Sequence, residues 1–153
     1  MQMVLNGIGG QGVLFLSKIL TKAALRKFGK VVASETIGMA QRGGSVVSFL
    51  KLGKKYKSPM IISGTADIVI CLQEQELKNS KGFLREGGKL YLNSDEYFNA
   101  TEIALKEKAP SMANVIFLGY LAKDNDFPLG KDEIHPVLPE KACPFFELGY
   151  NAV

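Results

Sequence analysis

The sequence predicts a single-domain α/β fold of three layers, in which helices cover both faces of a mixed β-sheet. The chain has 153 residues, 46% of them hydrophobic, which is enough for one buried core and too few for two ordinary domains. A short apolar stretch at residues 3–5 leads through a glycine-rich turn into an amphipathic helix. Further apolar segments bounded by Gly, Pro, Asn or Ser then alternate with helical patterns. We therefore treat residues 1–153 as one domain.

The first helix is predicted over residues 13–28, because its polar and apolar side chains separate onto opposite faces. Gly29 follows it as the C-terminal cap. The polar stripe that should face solvent consists of Ser17, Lys18, Thr21, Lys22 and Arg26. Strands are predicted at residues 30–34, 45–52, 67–72 and 89–93. Helices are predicted at residues 74–84, 101–108, 111–123 and 140–148. The third of these has Ser111 as its cap and is apolar on almost every side, and the fourth contains Pro144, which weakens it.

The glycine-rich turn matches a dinucleotide-binding fingerprint. Gly7, Gly9 and Gly12 have the G-x-G-x-x-G spacing, and Glu35 lies where such folds place the acid that holds a ribose hydroxyl. By itself this pattern indicates NAD or FAD. Only nine residues separate Glu35 from Ser45, however, whereas a crossover to a parallel strand needs about a dozen or more. We therefore expect a Rossmann-like mixed sheet in which the nucleotide-binding repeat stops after its first unit.

Two glycine loops form the candidate site. The predicted contact residues are Gly9, Gly10, Gln11, Gly12, Arg42, Gly43 and Gly44. Arg42 could pair with a ligand phosphate or carboxylate, with an acid of another subunit, or with Glu35. Gln11 and Gln41 could bond a ligand or satisfy loop backbone. Gly9 and Gly12 could instead serve only to let helix and strand pack closely.

Other kinds of chemistry have little support. Cys71 lies in an apolar run and Cys143 has no cysteine at ligand spacing, so no iron–sulfur or zinc site is expected in this chain. His135 precedes a proline in a polar segment and is expected at the surface. The basic run at 54–57 is expected at the tip of a hairpin loop rather than on a nucleic acid, although Tyr56 could stack on a base. No signal peptide or membrane span is expected, which favours a cytoplasmic protein.

These residues together resemble a known family. GIGGQG at 7–12 and ETIGMAQRGGSV at 35–46 are similar to the gamma-type domain of the 2-oxoacid:ferredoxin oxidoreductases, and most similar to the small beta subunits of the indolepyruvate enzymes. The segments at 65–67, 87–93, 113–119 and 146–150 follow in the family's order. The resemblance covers nearly the whole chain.

The resemblance implies a subunit of an enzyme that oxidatively decarboxylates a 2-oxo acid to acyl-coenzyme A and reduces ferredoxin. It implies that thiamine diphosphate, magnesium and iron–sulfur clusters belong to a larger partner subunit, and that this chain is inactive alone and has no catalytic residue. The glycine loops would contact coenzyme A at the interface, or only the partner chain. A stand-alone nucleotide-binding module and a scaffold without a catalytic role are the alternative functions.

Overall fold

A computed structural model of the chain describes residues 1–37 and 44–152. Its five strands are β1 (Gln2–Ile8), β2 (Val31–Ile37), β3 (Ser45–Leu52), β4 (Ala66–Cys71) and β5 (Leu84–Leu92). Its α-helices are α1 (Val13–Phe28), α2 (Leu77–Ser80), α3 (Ala100–Lys106), α4 (Ala113–Lys123), α5 (Lys131–Ile134) and α6 (Cys143–Asn151). Short 3₁₀ turns precede α4 and α6, flank α2 and follow α5.

The strands form one mixed sheet in the order β2-β3-β1-β4-β5. β3 runs antiparallel to both of its neighbours, β1 and β2, whereas the β1–β4 and β4–β5 pairs are parallel. The antiparallel β2–β3 pair follows from the short connection, which cannot carry a crossover. The predicted interruption of the nucleotide-binding repeat and the predicted mixed α/β fold are therefore confirmed.

The side chains of the central strand β1 point alternately to the two faces of the sheet, and each face has its own buried cluster. Met3 and Leu5 face the larger core, which α1 and the C-terminal helices cover. Val4 faces the smaller core on the opposite side. There the segment around α2 contributes Phe83, whose ring meets that of Phe49 edge-on at 5.1 Å between centroids. Both faces are thus covered, but the layer that contains α2 is much the thinner.

Helix α1 has the predicted bounds, and Gly29 ends it with φ 76° and an N–H donated to Leu25 O at 3.1 Å. The prediction for Ser17 is wrong, because its side chain is buried and not on the solvent face. Its hydroxyl lies 2.7 Å from that of the equally buried Ser48 on β3. This buried hydrogen bond joins the first helix to the sheet.

Several element boundaries differ from the prediction. The segment predicted as one helix at 74–84 is two 3₁₀ turns around the four-residue α2, and α5 was not predicted. Ser111 does not cap α4, since it lies within a 3₁₀ turn and Met112 holds the N-cap position. Pro144 lies in the first turn of α6, where a missing N–H leaves no helical hydrogen bond unmade. The basic run is not in a hairpin, because β1 separates β3 from β4.

Helices α4 and α6 pack against each other more closely than any other pair of helices in the described part of the chain. A Cβ placed on Gly119 would overlap the carbonyl oxygen of Phe146, and one on Gly149 would overlap that of Ile116. The two glycines therefore let the two backbones touch. As predicted, α4 is buried on nearly every side.

The Ser17–Ser48 pair generates a stability prediction. Replacing either serine with alanine should lower the free energy of unfolding by about 1–3 kcal/mol, because the other hydroxyl stays buried and loses this hydrogen bond. The double variant Ser17→Ala/Ser48→Ala should lose clearly less than the sum of the two single losses. Urea unfolding of the four proteins measures this coupling, and additive losses would contradict it.

Candidate functional site

The first glycine loop is a short turn that joins β1 to α1. After Ile8 the chain bends back so that Gln11 N donates to Ile8 O at 3.2 Å. The side chain of Gln11 braces the same turn, because its Oε1 accepts the Ile8 N–H at 2.8 Å. Its Nε2 donates to Gln73 Oε1 at 2.7 Å, at the end of β4. The amide of Gln11 thus ties the loop to its own backbone and to the neighbouring strand.

Two glycines in this turn have positive φ, in opposite surroundings. Gly12, the N-cap of α1, has φ 79°, and a Cβ there would overlap the Asn114 side-chain amide of α4. Gly10 has φ 91°, and no described atom lies within 4 Å of the position that its Cβ would take. Gly12 therefore serves close packing, which was the alternative to a ligand contact, although it packs against helix α4 and not against a strand. Gly10 leaves backbone open to approach.

The second glycine loop meets the first at Gly44. Gly9 N donates to Gly44 O at 2.8 Å, immediately before β3 begins. The predicted residues Gly9, Gly10, Gln11, Gly12 and Gly44 therefore lie together. Arg42 and Gly43, with Gln41, lie outside the described residues, so their predicted contacts stay predictions.

The first turn of α1 presents backbone N–H groups at this loop. No side chain among the described residues caps the helix, and its first turn contains no acidic residue. Arg26 and Lys27 lie in its last turn, where cations complement the helix dipole. The uncapped N-terminus carries partial positive charge and suits an anionic group.

Three clefts surround Gly10, which lines all of them. One of ≈ 360 Å³ is mostly apolar and is lined by Ile8, Gly9, Gly10, Gly12, Val13, Leu14 and Val46. A second, of ≈ 270 Å³, lies between α1 and α4 and includes Phe15, Met112 and Lys141. The third, of ≈ 130 Å³, opens over the carboxyl ends of β4 and β5. We call this side of the molecule, from Ile8 to Leu14 with Gly44 and Val46, the glycine edge.

Polar side chains that were not predicted complete the third cleft. Asn93 follows β5, donates to Thr101 Oγ1 at 2.9 Å and accepts the Ala100 N–H at 2.8 Å. Asn114 donates to Gly12 O at 3.4 Å and is almost fully buried. The position of Gln73 and Asn93, directly after buried parallel strands, was the sequence signal that could have found them, because ligands bind at that edge of α/β sheets.

The sheet order places Glu35, the candidate ribose-binding acid, away from the glycine turn. Glu35 lies on β2, and β3 separates β2 from β1. One intervening strand adds about 4.8 Å to the distance between the acid and the glycine turn. Glu35 therefore does not stand beside the glycine loop as a ribose-binding acid does.

Two ionisable groups beside the site have shifted pKa values. Hydrogen bonds from Ser45 and then from Asn79, whose Nδ2 lies 2.8 Å from Glu76 Oε2, hold the pKa of Glu76 below its usual value. Burial raises the pKa of the Cys71 thiol, which donates to Gln73 O at 3.0 Å. At neutral pH, Glu76 is therefore an anion and Cys71 is a protonated thiol rather than a nucleophile.

The remaining candidate groups lie elsewhere or form no cluster. His135 is 42% exposed and its Nε2 lies 3.6 Å from Glu147 Oε1 on α6. Within residues 1–37 and 44–152, no group of three or more His, Cys, Asp or Glu side chains could hold a metal ion. None of the helices in those ranges is long and apolar enough to span a bilayer.

Comparison with known proteins shows the class. The model of the family described as pyruvate ferredoxin/flavodoxin oxidoreductase matches residues 2–142. The indolepyruvate oxidoreductase subunit IorB of Thermococcus kodakarensis is 28% identical, over 97% of this chain and 94% of its own length. The IorB subunit of Methanothermobacter thermautotrophicus is 32% identical, over 84% of this chain and 81% of its own length.

Solved structures share the fold. The keto/oxoacid ferredoxin oxidoreductase gamma subunit of Geobacter sulfurreducens superposes with a TM-score of 0.75 at 23% identity, over 97% of this chain and 95% of that one. The 2-oxoglutarate:ferredoxin oxidoreductase of Magnetococcus marinus, solved with 2-oxoglutarate, coenzyme A and succinyl-CoA bound, superposes with a TM-score of 0.77 at 15% identity. The superposition covers 99% of this chain and 30% of that one.

The fold is shared with the gamma subunit of a keto/oxoacid ferredoxin oxidoreductase. The chain belongs to the pyruvate ferredoxin/flavodoxin oxidoreductase family. The resemblance seen in the sequence is confirmed, and so is the prediction of a subunit of a 2-oxoacid:ferredoxin oxidoreductase over a stand-alone nucleotide-binding module.

The contrast between Gly12 and Gly10 generates a prediction. Alanine at either position should cost about 1–2 kcal/mol of stability, because L-residues are strained at positive φ. Gly12→Ala should lose about 1 kcal/mol more than Gly10→Ala, since its methyl group displaces Asn114 and breaks the part-buried hydrogen bond from Asn114 to Gly12 O. Urea unfolding compares the two variants with the unmodified chain. Equal losses would show that Gly12 is not packed as described.

Proposed function

We propose that the chain is the small subunit of an indolepyruvate-type 2-oxoacid:ferredoxin oxidoreductase. The holoenzyme would convert an aryl pyruvate and coenzyme A to acyl-coenzyme A and CO₂, and pass the two electrons to ferredoxin. Membership of the family and the IorB names of both relatives support this reaction class. The setting would be cytoplasmic, where both cysteines stay reduced; both are free in the structure.

The observation that carries the proposal is the glycine edge itself. It combines open backbone at Gly10 with the half-buried apolar side chains of Leu14 and Phe15 beside wide clefts. The described residues near it include no nucleophile paired with a base. Such a surface suits covering another protein's active site, so the chain would be inactive alone.

The partner would be the larger subunit that holds thiamine diphosphate, magnesium and the iron–sulfur clusters, as the family resemblance implies. The described residues of this chain offer no group of ligands that fits a metal or a cluster. Thiamine diphosphate would supply carbanion stabilisation in the partner, while this chain would exclude water and close the site.

Coenzyme A would reach the same edge. The partial positive charge of the uncapped α1 N-terminus favours an anionic coenzyme, and Lys141 lines the cleft between α1 and α4. Gly9, Gly10, Gln11, Gly12 and Gly44, together with Arg42 and Gly43, form the proposed contact set. The alternative is that this edge contacts only the partner chain.

Assembly tests the subunit proposal. Leu14→Glu puts a charge on the glycine edge and should abolish co-purification of the tagged chain with a larger iron–sulfur subunit under anaerobic conditions. Leu105→Glu, a matched change at an exposed leucine of α3, should leave assembly intact. Circular dichroism of both variants confirms that they fold.

The same preparation tests the reaction. The unmodified complex should reduce ferredoxin in a thiamine-dependent assay, faster with indolepyruvate than with pyruvate or 2-oxoglutarate, and the isolated chain should be inactive. A lone chain that recruits no such partner, or equal assembly of both leucine variants, would contradict the proposal.

The coenzyme A contact has its own test. In the assembled complex, Gly10→Ala should raise the KM for coenzyme A about tenfold, equivalent to ~1.4 kcal/mol, and leave the KM for the 2-oxo acid unchanged. Gly82→Ala is the control, because its Cβ would also meet open space but lies in the layer that contains α2. An unchanged KM with intact assembly would mean that the edge contacts only the partner chain.

A further inference from the structure

Positive charge gathers at the end of the molecule opposite the glycine edge. There α1 ends, β1 and β2 begin, and β3 ends, as the pairing of Gln2 with Lys51 requires. Seven cationic residues from two separate parts of the chain, residues 26–30 and 51–57, lie at this end. We call them the basic end: Arg26, Lys27, Lys30, Lys51, Lys54, Lys55 and Lys57.

Contacts hold the two parts together. Gly53 N donates to Lys30 O at 3.0 Å, which joins the loop after β3 to the segment after α1. A Cβ on Gly29, the cap of α1, would lie 3.2 Å from Lys54 Cε. The lysines of the loop are therefore brought beside the cations of the first helix, which the sequence separates by more than twenty residues.

Tyr56 organises the loop from within. Its ring centroid lies 5.5 Å from Lys51 Nζ and 5.1 Å from Lys55 Nζ, and its hydroxyl accepts a hydrogen bond from the Met1 amino group at 2.8 Å. The aromatic ring is half-buried and already engaged by two ammonium groups. It is not free to stack on a nucleic-acid base as the sequence alone allowed.

The charge of the basic end is largely uncompensated. Among the residues that the structure describes, only Lys27 has an acidic partner, Glu133 at 3.9 Å. Asp67, whose charge acts on the amino terminus, forms an ion pair with Arg85 at 2.8 Å. The seven cations exceed the net charge of +4, so the rest of the chain is net negative.

We propose that the basic end docks an acidic surface of a partner protein. Lysine ammonium groups on flexible stems attract carboxylates at long range and speed encounter with such a surface. The same loop exposes Met60 (59%) and Ile62 (74%), which add the apolar contact that a protein interface uses. The cations belong to separate elements of a folded surface and not to one amphipathic helix, so a protein fits this end better than a membrane does.

A binding titration of the full chain with poly-L-glutamate at physiological salt tests this. The charge reversal Lys54→Glu/Lys55→Glu/Lys57→Glu should weaken binding at least about tenfold, and raising the salt should weaken binding to the unmodified chain. Amide chemical-shift changes should concentrate at the basic end.

A matched reversal of three other exposed lysines, Lys18→Glu/Lys78→Glu/Lys108→Glu, is the control. It makes the same change in net charge away from the basic end and should alter affinity less than about threefold. Equal weakening by both variants would overturn the proposal, because binding would then follow net charge alone. Tighter binding of the unmodified chain to duplex DNA or to phosphatidylserine vesicles would overturn it in favour of those ligands. The test uses the isolated chain, so its outcome is independent of the proposed subunit function.

Discussion

The antiparallel ladder between β1 and β3 is the constraint on which the rest of the structure depends. It fills the place beside β1 that β2 would take in an uninterrupted nucleotide-binding repeat, and its last pair, Ile8 with Ser45, brings Gly44 against the turn at Gly9. Because β3 lies between β1 and β2, Glu35 is one strand farther from the glycine turn than the ribose-binding acid of a dinucleotide fold. The glycine turn therefore has no such acid beside it among the described residues. The short connection between Ile37 and Ser45 requires β2 and β3 to pair antiparallel, and tertiary structure then places β3 beside β1.

The sheet thereby has two ends with different chemistry. At the carboxyl end of β1, the backbone is exposed at Gly10, and the N-terminus of α1 lies beside an apolar cleft. There the side-chain amides of Gln11 and Asn114 form hydrogen bonds to the backbone. At the amino end, lysines surround Tyr56. An assembly subunit can use both ends at once, because the buried core between them is continuous and keeps their spacing rigid.

Much of the fold and part of the site could be predicted from local patterns. Periodicity defined α1 to the residue, and turn residues bounded β3, since both signals act over a few neighbours. The burial of Ser17 could not be read in this way, because a serine looks polar until a second serine, Ser48, is brought opposite it. Asn114 was missed for the same reason, because its partner Gly12 is brought opposite it only by the packing of α4 against α1.

By itself, the sequence predicted the mixed sheet and the first glycine loop, and its resemblance to a known family indicated the class of the protein. The sheet and the loop depend on short-range steric rules for glycine and on connection lengths, which a chain displays in order. Tertiary structure alone decided that Gly12 is packed while Gly10 is open, that Gly119 and Gly149 join α4 to α6, and that distant lysines share one end. Such features arise when segments far apart in the chain are brought into contact, and no local pattern encodes which segments those will be.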